Sequence, residues 1–409
     1  MSVDFEEGID RGKIKIPIPF KLYLLTCGIL PIFAILEWRF LGLSIGTCIL
    51  LILVGLSFNY KKVLLFSNKC PISKKMIFFL AIISIQVLIH PTDIKVLFWY
   101  LLIIVMYFLS LNLSKNLNQL NLKGILQYLY YGAYLSFLFG IIQYTFDLQL
   151  YPSEMLQDVM TAQDQGYIHR ASGSMLSPNG YGYYASLIAA VAFAEIVTIK
   201  KKFILNGNIY RAYFLLFLST SQLFLSSSRS AILGLFLSII YFQFKSKISI
   251  KFLLYSFALG FIVLYLYIIY IEDLDQLIFR TLEDGRWKLW DEAIKYLLLN
   301  PEVLLFGLGI GDSNRSHINF SDNFFLEVIL AGGIPMLLSF LYLIFTSFPI
   351  KNVNLLTGNS FNILFSFTSM WRIIFLIASL FSSAIGFIPF SQLFFLFFFL
   401  RFNVINSKK

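Results

Sequence analysis

Three arginines stand in short polar motifs that interrupt an otherwise apolar sequence. Arg170 belongs to HRASGSMLSPNGYGYYAS, Arg229 to SSSRSA and Arg286 to GRWKLW. The planar guanidinium of arginine matches the geometry of phosphate oxygens and keeps its charge at any working pH. The three motifs therefore predict a site for an anionic, phosphate-bearing substrate.

Each motif also has a structural interpretation that the residues leave open. The first reads as a helix start, where Pro178 ends an extended segment and Asn179 caps the helix that follows. Arg229 suits snorkelling to ordinary lipid phosphate. Arg286 lies four residues before Trp290, so the two share a helix face and fit a salt-bridged loop helix.

A fourth polar motif supplies the acidic candidates, in FGLGIGDSN and the following HINFSDNFFLEVILAGGIP. Asp322 and Asn323 open an apolar run and are predicted to cap its helix. Glu327 lies one turn further on the same face as Asn323, and a carboxylate inside a membrane helix is costly enough to be a functional candidate. Carboxylates and imidazoles can transfer protons, so Asp322, Glu327 and His317 are the candidates for acid or base chemistry in this motif.

The sequence predicts neither a metal site nor a cofactor. Cys27, Cys48 and Cys70 form no CxxC pair, and the three histidines are isolated from one another. The glycines of FGLGIG are not a dinucleotide-binding fingerprint, because no strand precedes them.

Membrane-spanning helices must position these motifs. Of the 409 residues, 58% are hydrophobic and 13% are charged, against roughly 25% charged residues in a typical soluble protein. The net charge of +10 comes from basic clusters between apolar runs, which is typical of membrane topology and argues against a nucleic-acid partner. We therefore expect an all-α polytopic membrane protein.

Apolar runs of sufficient length predict about twelve transmembrane helices. They lie near residues 20–36, 40–58, 76–90, 96–113, 124–146, 179–199, 210–226, 230–244, 252–271, 323–347, 361–382 and 388–402. Helices 1–5 then fall in residues 1–146 and helices 6–9 in 179–271, while helices 10–12 and a tail fall in 323–409. Long loops occupy 147–178 and 272–322. Gly332, Gly333 and Pro335 are expected to loosen helix 10 or to let a neighbour pack closely.

The basic clusters also predict the orientation. Nearly every lysine cluster falls on an even-numbered connection, which places both termini in the cytoplasm and both long loops outside. The larger loop contains an amphipathic helix that is expected to rest on the membrane interface. Its apolar side carries Trp287, Trp290, Ile294 and either Leu297 or Leu298.

The order of the four motifs resembles the O-antigen ligase and polymerase superfamily. The resemblance runs from about Arg170 to Pro335 and rests on R-x-S-G…PN-x-Y-G, then S-R, then G-R-x-x-x-W, then G-x-G before a polar cap and G-G-I-P. It implies a bacterial inner-membrane enzyme that acts on undecaprenyl-pyrophosphate-linked glycans at the periplasmic face. Ligases of this group typically carry a histidine where this sequence has Asp322, and the Asp-Asn pair favours a polymerase.

The resemblance therefore predicts a metal-independent glycosyltransferase of lipopolysaccharide or related polysaccharide biosynthesis, which joins lipid-linked repeat units. Its partners would be the lipid-linked oligosaccharide, membrane lipid and a chain-length regulator. Pyrophosphate would bind to Arg170, Arg229 and Arg286, and Arg286 would also act in catalysis. The supporting residues would be Asn179, Trp290 and Asn323.

Three other functions stay open. A ligase would transfer the glycan to lipid A-core. A flippase or other transporter would place ionisable groups inside the spans, and Glu195 and Arg372 are of that kind. A non-catalytic scaffold explains the spans but leaves the arginines without a role.

Overall fold

The computed structural model describes much of the helical part of the chain. The described residues are 17–27, 39–40, 43–57, 74–90, 92, 94–114, 117, 119–146, 171, 178–202, 209–246, 286–310, 323–345, 359–382 and 390–407. Arg170, His317, Asp322 and the predicted ninth span at 252–271 lie outside these residues, as does the side chain of Arg286.

Helices dominate the described residues. They are α1 (Ile18–Thr26), α2 (Ile45–Ser57), α3 (Lys74–Ile89), α4 (Ile94–Ser114), α5 (Gln119–Thr145), α6 (Pro178–Lys202), α7 (Ile209–Leu225), α8 (Arg229–Ser246), α9 (Arg286–Leu299), α10 (Pro301–Phe306), α11 (Phe324–Phe345), α12 (Asn359–Phe381) and α13 (Phe390–Ser407). Between α1 and α2, the two-residue strands β1 (Arg39–Phe40) and β2 (Leu43–Ser44) pair antiparallel.

The predicted fold class, an all-α polytopic membrane protein, is confirmed. Five helices of the described chain contain a segment long and apolar enough to cross a membrane, and these segments are Leu97–Ser114, Leu122–Thr145, Pro178–Thr198, Phe324–Phe345 and Phe361–Phe381. Three shorter helices, α7, α8 and α13, are also apolar. A helix overlaps each predicted span that the described residues include.

Helix α6 forms the centre of the bundle. Every side chain from Tyr181 to Thr198 is buried, and α7, α8 and α12 pack around the helix. Its many alanines allow this close packing, because small residues let neighbouring backbones approach. The indole N–H of Trp371 on α12 donates to the carbonyl oxygen of Leu187 at 2.7 Å, which ties α12 to the central helix.

A cluster of phenylalanines packs α11 and α12 against α13. The rings of Phe375 and Phe394 stack with their centroids 4.2 Å apart. Phe324, at the start of α11, lies 6.4 Å from Phe375, and Phe340, near the end of α11, lies 6.3 Å from the same ring. Both ends of α11 therefore reach one residue of α12.

The span predicted at 323–347 is matched by α11, which is long and apolar enough to cross a membrane, but this helix is bent back on itself. A straight helix would separate Phe324 from Phe340 by about 24 Å along its axis, but their ring centroids are 5.0 Å apart. The bend lies at Gly332 (φ −146°, ψ 19°) and Gly333 (φ 69°, ψ −173°). Residues 324–331 form a first leg and residues 334–345 a second leg, which lie side by side.

The segment that follows α10 satisfies the backbone groups that the bend releases. The N–H of Leu308 donates to the carbonyl of Leu330 at 2.7 Å, and the N–H of Gly309 donates to that of Ala331 at 3.1 Å. Gln86 of α3 donates to the carbonyl of Gly332 at 3.4 Å. Because buried backbone groups need hydrogen-bond partners, this exchange stabilises a helix break inside an apolar protein.

Candidate functional site

One end of the bundle gathers the polar motifs. Here α6 and α8 begin and α7 and α12 finish, and we call this the polar end, defined by residues 178–184, 222–230 and 379–382. Arg229 is the first residue of α8, and its side chain is exposed. The contacts that hold this end together are made mainly by hydroxyl and backbone groups.

Two contacts join the first arginine motif to the second. Ala171, which follows Arg170 directly, donates its backbone N–H to the carbonyl of Leu225 at 2.8 Å. A methyl group at Gly182 would lie 2.5 Å from the Cβ of Ser228, so a glycine is required for α6 to approach the turn between α7 and α8. The residue after Arg170 therefore lies beside the turn that carries Arg229.

A buried tyrosine hydroxyl connects α6, α8 and α12. The Tyr183 hydroxyl shares a hydrogen bond of 2.6 Å with Ser230 and one of 3.2 Å with Ser382. Ser382 also donates to the carbonyl of Phe381 at 2.6 Å. Because each hydroxyl has a single proton, the chain of donors runs from Ser230 through Tyr183 and Ser382 to Phe381.

The third motif lies on α9, which contacts the polar end through Phe381 of α12. The ring of Trp290 on α9 lies 6.0 Å from Phe381 and 4.8 Å from Trp287. Within the described residues the indole nitrogen of Trp290 has no hydrogen-bond partner. Arg286 is the first residue of α9, one helical turn before Trp290, so its backbone is placed near the polar end.

Helix α9 is amphipathic, as its spacing predicts, but its apolar residues face two directions. Ala293 and Leu297 pack with Val303 and Leu330 in a small core between α9, α10 and α11. Leu298, by contrast, is 72% exposed. Trp287 and Ile294 are exposed on the same side as Leu298. The structure thus assigns Leu297 to the core and leaves a separate apolar stripe uncovered, and contact of that stripe with the membrane interface stays a prediction.

The first leg of α11 carries the acidic candidate that the structure describes. Asn323 caps it, as predicted, because its side-chain oxygen accepts from the N–H groups of Phe325 and Leu326 at 3.0 and 3.2 Å. Glu327 is 7% exposed. One side of this leg, with Phe324 and Val328, packs in the bundle core, and the other side packs on α9 and α10. At 100° per residue, Glu327 falls on the boundary between them.

An ion pair on α9 is exposed to solvent. Lys295 of α9 donates to the carboxylate of Asp291 at 2.6 Å, and this hydrogen bond raises the pKa of Lys295. In the described part of the chain, no three His, Cys, Asp or Glu residues are arranged to hold a metal ion. The prediction of a metal-free site stays a prediction, because His317 and Asp322 lie outside that part.

The structure brings together part of the predicted site and adds residues to it. Arg229, the start of α9 and the residue after Arg170 all adjoin the polar end, whereas the surroundings of Asp322 and His317 are not described. Asn179 is the second residue of α6, so its predicted role as the helix cap is wrong. Tyr183 and Ser382 were missed. The sequence pattern that could have indicated Ser382 is the hydroxyl-rich FSS at the end of one span, which resembles SSSRS at the start of another.

Two charged groups that sequence reasoning linked with transport have structural partners. Glu195 accepts from Arg211 at 2.9 Å and from the Tyr130 hydroxyl at 2.6 Å, at the end of the bundle opposite the polar end. Arg372 donates to the hydroxyl of Tyr241 at 3.2 Å. Glu195 therefore has a charged partner within the helix bundle, and Arg372 has a neutral hydroxyl partner there.

The fold and the polar end define a polytopic membrane protein that carries cationic motifs at one end of a helix bundle. Residues 214–341 match the family model described as O-antigen ligase. The match includes Arg229, Arg286, Asp322 and Glu327, and it supports the resemblance to the O-antigen ligase and polymerase superfamily that the motifs predict. No curated protein matches the chain. The match indicates an O-antigen ligase- or polymerase-type function in polysaccharide biosynthesis at a membrane, with a lipid-linked glycan as substrate.

Proposed function

We propose that the protein polymerises undecaprenyl-pyrophosphate-linked oligosaccharide repeat units into O-antigen or a related surface polysaccharide. The reaction takes place at the periplasmic face of the inner membrane, and both termini are cytoplasmic. The observation that carries the proposal is the meeting of Arg229, the start of α9 and the residue after Arg170 at one end of the bundle, inside or beside the matched region.

The proposed reaction is a single displacement. A sugar hydroxyl of one lipid-linked unit forms a bond to the anomeric carbon of the chain carried by another. The bond from that carbon to the pyrophosphate oxygen breaks, and its electron pair leaves with undecaprenyl pyrophosphate. The configuration at the anomeric carbon is inverted, and the hydroxyl proton passes to a carboxylate.

Arginines do the electrostatic work in this proposal. Arg170, Arg229 and Arg286 bind the pyrophosphate and stabilise the charge that develops on the leaving group, which is often the largest contribution to catalysis. Arginine needs no metal to hold phosphate oxygens, so the proposed reaction is metal-independent. The exposure of Arg229 at the polar end supports this role, because a substrate headgroup must reach the guanidinium.

The acceptor side of the site is assigned to Asp322, which orients or deprotonates the attacking hydroxyl. Asp322 directly precedes Asn323, the cap of the first leg of α11. Glu327 and His317 are the alternatives. The burial of Glu327 where this leg meets the outer helices supports Glu327 as the second choice.

A ligase is the second candidate, because the matched family model is described as O-antigen ligase. It would use the same donor and the same arginines but transfer the glycan to lipid A-core. The presence of Asp322 where such ligases typically carry histidine favours the polymerase. A flippase is less favoured, because Glu195 and Arg372 both have partners within the bundle.

The arginine assignment is tested in cells that lack the chromosomal copy of the gene. Arg229→Ala and Arg286→Ala should each abolish long polysaccharide chains on gels while the protein stays in the membrane, because loss of such an electrostatic contact costs roughly 10²–10³-fold in rate. Lys288→Ala is the matched control, since Lys288 is an exposed cation on α9. A normal ladder from either arginine variant would exclude that arginine from the site.

The acceptor assignment is tested by replacing the carboxylate with an amide of the same size. Asp322→Asn should stop chain growth, because an amide does not accept the hydroxyl proton. An active Asp322→Asn protein rules out a base at this position. Glu327→Gln then tests the second choice. Transfer to purified lipid A-core, rather than to a second lipid-linked unit, would identify the wild type as a ligase.

A further inference from the structure

One buried hydroxyl joins the first turn of α8, which carries Arg229, to the end of α12, on which α9 packs. Tyr183 lies on α6 and is fully buried. Its hydroxyl contacts Ser230, the neighbour of Arg229, and Ser382, the neighbour of Phe381. Phe381 in turn packs on Trp290 of α9, one turn after Arg286.

We propose that Tyr183 is a positioning residue that fixes the first turn of α8 relative to α9, and thereby sets the distance between Arg229 and Arg286 around a polyprenyl pyrophosphate. This inference rests on the proposed function. Tyr183 touches no reacting atom, and it acts through Ser230 and Ser382.

The direction of the hydrogen bonds explains why a hydroxyl is needed here. Ser382 uses its proton on the carbonyl of Phe381, so it accepts from Tyr183, and Tyr183 accepts from Ser230. Removal of the tyrosine oxygen deprives the half-buried Ser230 of its acceptor and the buried Ser382 of its donor at the same time. The two serines then move or recruit water to recover hydrogen bonds. Arg229 and Phe381 are their immediate chain neighbours, so both shift with them.

The same helix offers a matched control. Tyr184 follows Tyr183 directly and is equally buried. Its ring packs on Phe137 of α5, away from α8 and α12, and its hydroxyl has no hydrogen-bond partner within the described residues. Tyr183→Phe and Tyr184→Phe therefore make the same chemical change at neighbouring positions, and only the first breaks the connection to Ser230 and Ser382.

The experiment uses the full chain in lipid nanodiscs and measures two quantities. One is the steady-state rate of chain growth from undecaprenyl-pyrophosphate-linked repeat units. The other is the affinity for undecaprenyl pyrophosphate alone, which is the leaving group and carries the charge that the transition state develops. Tyr183→Phe should lower kcat and weaken this affinity by about threefold to tenfold each, the range expected for one neutral hydrogen bond. KM for the repeat unit should change by less than about twofold, because binding before the reaction places less charge between the arginines.

A merely structural role gives a different result. It would lower the unfolding temperature of Tyr183→Phe without changing kcat for each folded molecule. If Tyr183→Phe does not accumulate in the membrane, the same two quantities are measured for Ser382→Ala, because this change breaks the same hydrogen-bond chain at the end of α12.

The outcomes separate this inference from the proposed function. A wild-type protein that neither extends chains nor binds undecaprenyl pyrophosphate overturns the proposed function itself. An active wild type with Tyr183→Phe unchanged in kcat and affinity overturns only the positioning role. Equal losses in Tyr183→Phe and Tyr184→Phe overturn it as well.

Discussion

The two ends of the helix bundle differ in whether charged or neutral side chains join their helices. At the end away from the motifs, the carboxylate of Glu195 accepts from Arg211 at 2.9 Å and from Tyr130 at 2.6 Å, and the guanidinium of Arg211 also lies 5.0 Å from the centroid of the Tyr130 ring. At the polar end, helices are joined by the neutral hydroxyls of Tyr183 and its serine partners, while Arg229 is exposed.

This difference separates a structural use of charge from a ligand-binding one. A carboxylate and a guanidinium that satisfy each other stabilise the bundle but offer little to a substrate, because a ligand would have to displace the partner. Neutral hydroxyls can hold helices in place without neutralising a nearby arginine. The polar end presents Arg229 to solvent, where an anionic headgroup can reach it, as the proposed function requires.

The largest expected effect concerns the bend of α11, which packs against α10. Gly333 has φ 69°, and a methyl group there would lie 2.6 Å from the carbonyl oxygen of Leu305. Gly333→Ala should lower the free energy of unfolding by about 3 kcal/mol, because it adds backbone strain to a steric clash. Thermal unfolding of the purified protein in detergent measures this change.

The matched control for the bend is Gly55→Ala in α2. A methyl group at Gly55 would meet nothing within 4 Å, and alanine favours a helix over glycine, so this variant should be at least as stable as the wild type. A Gly333→Ala protein with a wild-type unfolding temperature and normal chain growth would contradict the bent conformation of α11.

A smaller effect is expected at the opposite end, where charge has a structural use. Arg211→Ala leaves the carboxylate of Glu195 buried without its guanidinium, which should lower the free energy of unfolding by about 2 kcal/mol. Removal of one partner of a fully buried pair costs more, but the side chain of Arg211 is 28% exposed and water screens part of the interaction. Denaturant titration in detergent provides the measurement.

Activity distinguishes the two ends in the same experiment. Each folded molecule of Arg211→Ala should extend chains at the wild-type rate, in contrast to Arg229→Ala. The double variant Glu195→Gln/Arg211→Ala should regain stability, because the neutral amide can still accept from the Tyr130 hydroxyl. A loss of activity in Arg211→Ala as large as that in Arg229→Ala would remove the distinction drawn between the two ends.

Local sequence patterns predicted several parts of the structure correctly. Apolar runs predicted the helical membrane fold, because the length of an apolar run is visible in the local sequence and must match the thickness of the bilayer. The Asn323 cap was likewise predictable, since its side chain bonds to backbone groups two and three residues away. The superfamily followed from motif order, and the match over residues 214–341 supports it.

Other features were not predictable from the same patterns. Gly332, Gly333 and Pro335 signalled a weak point in α11, but a bend that brings Phe324 to 5.0 Å from Phe340 depends on a distant segment. Leu308 and Gly309 must supply the N–H groups that the broken helix lacks. A straight helix satisfies its own backbone, so the break is stable only because these residues lie beside it.

Hydropathy and basic clusters decide the class of protein, because each is a property of about twenty residues of chain. The order of the motifs along the chain indicates the residue types of its candidate site. Tertiary packing decides which residues meet. The hydrogen bond between Tyr183 and Ser382 joins positions 199 residues apart, and no local periodicity encodes such a pair. It forms because α6 is buried at the centre of the bundle, where packing brings the start of α8 and the end of α12 beside Tyr183.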